Sequence, residues 1–407
     1  MKITLIAGAR PNFMKVAPII KAITAYNELG NDRVRELGNE EISYRLVHTG
    51  QHYDKNMSDT FFEELGIPAP DVNLGCGGGS QAEQTAHIMV EFEKDLLAHP
   101  ADVVLVVGDV TSTMACSIVA KKLNTKVCHV EAGIRSWDLT MPEEINRMVT
   151  DSLADYMFTT SEVANRNLVR QGAILNDGMS AAKPLNDAND VIALPEDKYV
   201  HDRVPQRVWH VGNVMIDTLL ANKARFRKPK VWDELGLNEK EFVVMTVHRP
   251  ANVDEETHLR AMMEQIIDNV HGLPVIFPIH PRTAKLFYGL WGNESELAKR
   301  FSNLHTVEPM GYLEFNYLVE RAKVVVTDSG GITEETTVMG VPCITLRDNT
   351  ERPETCTVGT NELIGTNPKA IKPALDKLFA GEWKKGAIPE LWDGHAAERI
   401  IEILARL

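Results

Sequence analysis

Val324-Val325-Val326-Thr327-Asp328-Ser329-Gly330-Gly331-Ile332-Thr333-Glu334-Glu335 is the stretch that decides the fold class. A short β-branched run stops at Asp-Ser-Gly-Gly and passes into a helix-like segment that closes at Gly340-Val341-Pro342. The pattern predicts a strand, a tight turn and a helix N-terminus. Such an N-terminus offers unpaired backbone N–H groups and the positive end of the helix dipole, which suit a phosphate. The two glycines let a ligand approach the backbone with no Cβ in the way. Glu334 and Glu335 follow one turn later, within reach of a sugar hydroxyl.

The same rhythm runs outward from this stretch in both directions. Apolar runs at 3–7, 44–48, 103–107 and 126–130 end respectively at Gly8-Ala9-Arg10-Pro11, Thr49-Gly50-Gln51-His52, Gly108-Asp109 and Glu131-Ala132-Gly133. After a poorly periodic excursion at 172–207, runs at 208–211, 242–246, 274–279 and 341–346 resume the pattern. Strand alternating with helix predicts parallel sheets covered on both faces. We expect two doubly wound, Rossmann-like α/β domains facing a cleft: residues 1–190 carrying the acid/base residues, 207–385 carrying the phosphate turn, and a terminal helix at 386–407 returning to the first domain. In such sheets ligands bind at the carboxyl ends of the strands, and the polar residues of this chain gather at those ends.

Composition narrows the function. The chain has 407 residues, 44% hydrophobic and 25% charged, with a net charge of −14. This acidic balance argues against a nucleic-acid binder or an anionic membrane surface, though not against a small anionic ligand. The five cysteines are scattered, with no C-x-x-C pair, so reduced thiols and a cytoplasmic location are expected. No apolar run is long enough to span a bilayer. No zinc-like spacing occurs either, so neither a metal nor another cofactor is expected.

Several motifs admit two readings. Arg10 with Lys15 suits a phosphate, or is a loop arginine and a solvated helix lysine. Gly75–Ser80 lacks the Walker and Rossmann patterns and reads better as a turn capped by Ser80. Asp109, Glu131 and the pair Glu143-Glu144 put carboxylates at strand and helix ends, as caps or as general acids and bases. His248-Arg249 and His280-Pro281-Arg282 sit at two further strand ends, and Arg352 lies in a polar run after another.

As an ordered set, these pieces closely resemble the non-hydrolysing UDP-N-acetylglucosamine 2-epimerase family over nearly the whole chain. The matching segments are Gly8-Ala9-Arg10-Pro11 with Lys15, Gly108-Asp109-Val110-Thr111, His129-Val130-Glu131-Ala132-Gly133-Ile134-Arg135, Pro142-Glu143-Glu144-Ile145-Asn146-Arg147, His248-Arg249-Pro250, His280-Pro281-Arg282, Asp328–Glu335 and Thr350–Glu354. The resemblance implies a glycosyltransferase-B type fold, a homodimer and a UDP-sugar substrate. It implies inversion at C2 of UDP-GlcNAc by elimination of UDP to 2-acetamidoglucal and re-addition, giving UDP-ManNAc for cell-surface polysaccharide synthesis. Asp109, Glu131 and Glu143 become the acid/base candidates, and His248 the group assisting departure of the diphosphate. Arg10, Lys15, Arg135, His280, Ser329, Gly330, Gly331, Glu335 and Arg352 become the substrate and UDP contacts. Relatives acting on UDP-2,3-diacetamido-2,3-dideoxyglucuronic acid, and a hydrolysing epimerase releasing ManNAc and UDP, are the alternatives.

Overall fold

The structure, a computed structural model, describes residues 1–28, 41–51, 64–171, 174–175, 206–279, 284 and 287–407. It divides into two compact units, Met1–Thr218 with Glu390–Leu407, and Leu219–Pro389. The first unit is built on eight parallel strands: β1 (Lys2–Ala7), β2 (Ser43–His48), β3 (Val72–Asn73), β4 (Val103–Val107), β5 (Lys126–Val130), β6 (Tyr156–Thr159), β7 (Ile174–Leu175) and β8 (Arg207–His210). Their order is β3-β2-β1-β4-β5-β6-β8-β7. The central strands read as uninterrupted apolar runs because helices cover both faces; all five residues of Val103–Val107 are buried. Helix Gln81–Ala98 begins with a capping box, in which the Ser80 hydroxyl accepts from the Glu83 N–H and the Glu83 carboxylate from the Ser80 N–H. The glycine run before it is therefore the lead-in to a cap.

The second unit carries β9 (Val243–Thr246), β10 (Val275–Pro278), β11 (Leu304–Val307), β12 (Val324–Thr327), β13 (Cys343–Thr345) and β14 (Asn361–Leu363), in the order β11-β10-β9-β12-β13-β14. One face packs on helices Glu256–Asp268 and Ile371–Phe379 through Met262, Ile266 and Leu375, the other on Tyr312–Arg321 through Leu318 and Val319. Both sheets thus follow the doubly wound order, with the direction of winding reversing between β1 and β4 in one and between β9 and β12 in the other.

One boundary departs from the expectation. The strand at Arg207–His210, assigned from sequence to the second domain, pairs with β6 in the first sheet. The chain leaves that unit only within helix Val214–Asn222 and returns at Glu390. The returning segment is firmly seated. Trp392 is buried and its indole N–H donates to the Thr160 carbonyl at 3.0 Å. Gly212 has φ +94°, and a Cβ there would lie 2.0 Å from the Leu391 carbonyl oxygen. Asp217 caps the last helix, Ala396–Leu404, accepting from the Ala396 and Ala397 N–H groups at 3.1 and 2.7 Å. That helix packs on Arg10–Glu28.

Candidate active site

In the first unit, polar groups collect at the carboxyl ends of β1, β4 and β5, beside the switch point. The turn after β1 is set by Asn12, whose Oδ1 accepts from the Gly8 and Ala9 N–H groups at 3.0 Å while its amide donates to the Val107 carbonyl at 3.0 Å. This opens the helix at Arg10, which is exposed, and buries Lys15 one turn later. The Lys15 ammonium pairs with the Glu131 carboxylate, and neither is open to solvent by more than a tenth. Gly108 makes the contact possible: it has φ +67°, and a Cβ there would fall 2.8 Å from Lys15 Nζ and 3.4 Å from Glu131 Oε2. Glu131 has φ +70°, a left-handed backbone that a non-glycine residue adopts only when its surroundings impose it.

Beneath this pair lies His129, between the Gly108 carbonyl at 2.8 Å and Asp151 Oδ1 at 2.6 Å. Asp151 also receives the Gly133 N–H at 3.0 Å and Arg135 Nη2 at 2.6 Å. Burial alone would push this carboxyl up, but His129 and Arg135 together hold it below the ordinary aspartate range. Asp109, a quarter exposed, accepts on Oδ2 from Arg147 Nε and Nη2 at 3.0 and 2.6 Å. Arg147 Nη1 donates to Glu144 Oε2 at 2.5 Å. Glu143, half-buried, opens the same helix, Pro142–Leu153.

In the second unit, Asp328 is the organiser. Its buried carboxylate receives the His248 N–H at 2.9 Å, the Arg249 N–H at 2.8 Å and the Asn252 amide at 3.0 Å. His248 Nδ1 lies 2.8 Å from Oδ1, and its ring is 63% exposed, so the other nitrogen is presented outward. Burial opposes this carboxylate's charge, but His248, the Arg249 N–H and Asn252 overcome it and bring the pKa to about 2. Ser329 stands at the N-cap of helix Gly330–Met339 without using its hydroxyl on the helix, and its N–H donates to Thr327 Oγ1 at 3.0 Å. Gly330 is required here: a Cβ would lie 2.9 Å from Glu351 Oε1. Glu335 is buried and accepts from the Tyr312 hydroxyl at 2.8 Å. Burial and the neighbouring Glu334 raise its pKa to about 7 against the hydrogen bond from Tyr312.

The structure therefore brings Arg10, Lys15, Asp109, Glu131 and Glu143 to one end of the first sheet, and His248, Ser329, Gly330, Gly331, Glu335 and Arg352 to the β9–β12 and β13 ends of the second. Three placements differ from the expectation. Arg135, expected on the substrate, has no exposed side-chain surface and is held by Asp151, the Ile134 carbonyl and Gln171. Lys15, expected on the diphosphate, is paired with Glu131. Arg352, expected on UDP, pairs in the interior with Glu334. His280 lies outside the described residues. Sequence reasoning gave no role to Arg147, Glu144, His129 or Asp151. Only the i,i+3 spacing of Glu144 and Arg147 was a local signal. Among the described residues, no group of three or more His, Cys, Asp or Glu could hold a metal ion, and no helix is long and apolar enough to cross a membrane.

A family model described as UDP-N-acetylglucosamine 2-epimerase matches residues 35–405. Over 411 residues the chain is 36% identical to the UDP-N-acetylglucosamine 2-epimerase of Methanocaldococcus jannaschii, with 99% of each chain covered. It is 34% identical over 410 residues to the UDP-2,3-diacetamido-2,3-dideoxy-D-glucuronate 2-epimerase of Pseudomonas aeruginosa, with 100% of each covered. The crystal structure of the Methanocaldococcus jannaschii enzyme in complex with UDP-GlcNAc and UDP matches with a TM-score of 0.77, covering 99% of both chains.

Proposed function

Because the chain belongs to the UDP-N-acetylglucosamine 2-epimerase family, we propose that it interconverts UDP-GlcNAc and UDP-ManNAc without hydrolysis, on a fold of the glycosyltransferase-B type. The observation that carries this reading is the pair of carboxylates at adjacent strand ends, Asp109 and Glu131, each held by a cation from a different helix. The C2 hydrogen of the sugar has no neighbouring carbonyl to acidify it, so direct proton abstraction is a poor route. Elimination solves this: the C2–H electron pair forms the C1=C2 double bond as the C1–O bond to UDP breaks. A carboxylate takes the proton, a proton returns on the opposite face of C2, and UDP adds back to C1. Positioned acids and bases contribute about 10²–10⁴ in rate.

Asp109, Glu131 and Glu143 serve as the acid/base group, with Lys15 compensating the buried charge of Glu131. Arg10 meets the diphosphate. In the second unit, Asp328 orients His248 so that its outward nitrogen assists UDP as it leaves. Ser329, Gly330 and Gly331 hold the phosphates on the helix N-terminus, and Glu335 the ribose. Arg352 and His280 complete the UDP contacts, Arg352 by way of its pairing with Glu334. The enzyme works as a cytoplasmic homodimer.

Incubation with UDP-GlcNAc in D₂O, followed by NMR, tests the reading. It is expected to place deuterium at C2 of both UDP-sugars with no free ManNAc. Absence of C2 exchange would sink it; accumulation of ManNAc and UDP would favour the hydrolysing route. The similarity to the diacetamido-glucuronate enzyme supports running that UDP-sugar in parallel.

A further inference from the structure

We infer that Arg147, fixed in place by Glu144, is a positioning residue for Asp109 that directs the proton exchanged at C2 to a single carboxylate oxygen; the inference rests on the epimerase reading above. The Arg147 guanidinium is enclosed, its side chain 2% exposed, whereas the carboxylate it grips is 25% exposed. Asp109 is thus held from the inside and open on the other side. Nε and Nη2 both point at Oδ2, at 3.0 and 2.6 Å. Arginine only donates, so an oxygen facing two of its N–H groups is an acceptor in use and a poor home for a proton. A proton arriving from C2 is steered to Oδ1. One oxygen, in one orientation, serves one face of the sugar ring, as inversion at C2 demands.

Glu144 makes the grip rigid. Its Oε2 accepts from Arg147 Nη1 at 2.5 Å and from the Ser136 N–H at 3.0 Å, and its Oε1 accepts from the Trp137 N–H at 3.1 Å. The clamp holds Trp137 at φ +61°, a backbone conformation unfavourable for a large residue. The Asn146 amide adds a bond to the Asp109 carbonyl at 2.8 Å. One buried set of contacts therefore ties the strand end bearing Asp109, the loop that follows Glu131 and the helix that bears Glu143. The three carboxylates expected to share the proton work are held in register by two residues that do not touch the reacting atoms.

The test is a double-mutant cycle on the full chain, read by C2 deuterium exchange and by steady-state kinetics. Arg147→Lys keeps the charge but loses the fork. It is expected to lower kcat about tenfold to a hundredfold, with KM for UDP-GlcNAc and the Kd for UDP changed by less than about threefold. Glu144→Gln, the milder change, is expected to lower kcat by a smaller factor in the same sense, and it carries the test if Arg147→Lys fails to fold. In an Asp109→Asn background, Arg147→Lys is expected to cause no further loss, because its effect passes through Asp109. A wild-type rate in both single variants, or an equal loss with and without Asp109→Asn, would overturn the inference. Exchange by the wild-type protein is the control that separates its failure from failure of the epimerase reading.

Discussion

Gly108 shows how little room the first half of the site leaves. Its left-handed backbone and the 2.8 Å gap between a would-be Cβ and Lys15 Nζ both select glycine. Gly108→Ala should cost about 1–2 kcal/mol in backbone strain alone. It should also push Lys15 off Glu131 and lower the C2 exchange rate at least about tenfold. Calorimetry and the exchange assay check the two parts; an alanine variant with unchanged rate would show that the Lys15–Glu131 contact is dispensable. At this scale the sequence was legible where chemistry sits at a strand end, as at Asp109, Glu131 and His248. It was misleading where a distant residue captures the side chain. Arg135 reads as a ligand arginine until Asp151, on a helix that crosses beneath it, closes on its guanidinium. Likewise, nothing local marks Arg147 as the partner of Asp109, because the two are joined only when Pro142–Leu153 packs beside β4's turn.

Among elements, the strands were easy to read because parallel sheets bury both faces and so leave continuous apolar runs. The exception, Arg207–His210, follows the long polar excursion and looks like the start of a new domain; its pairing with β6 is a long-range choice that no local pattern records. The last helix depends on a buried carboxylate for its start. Burial raises the Asp217 pKa to about 6, against the two N–H groups that favour its charged form. A folded-state pKa above the unfolded value of 3.8 means that the fold binds this proton more tightly than the unfolded chain does. The contribution is therefore complete below about pH 4 and is lost as pH rises through about 6, amounting to about 3 kcal/mol. Denaturant titrations of the wild type and Asp217→Asn should show a stability difference that moves against the wild type by that order between pH 4 and pH 7. A difference independent of pH would remove Asp217 from the account.

For the whole molecule, the notable property is that the first unit is discontinuous: Leu219–Pro389 interrupts it, and Glu390–Leu407 completes it. Trp392, Ile400 and Leu404, all nearly or fully buried, belong to its interior although they are encoded last. Deleting Glu390–Leu407 should strip amide-exchange protection from the first unit while leaving the β9–β14 sheet protected; equal loss in both would mean that the units do not fold separately. During synthesis the ribosome emits the chain in order, so the second unit, continuous in sequence, can close as soon as it emerges. The first must wait, its Arg10–Glu28 helix lacking the partner it packs against, until the last turns are released. The acid/base half of this enzyme is thus the first part translated and the last part finished.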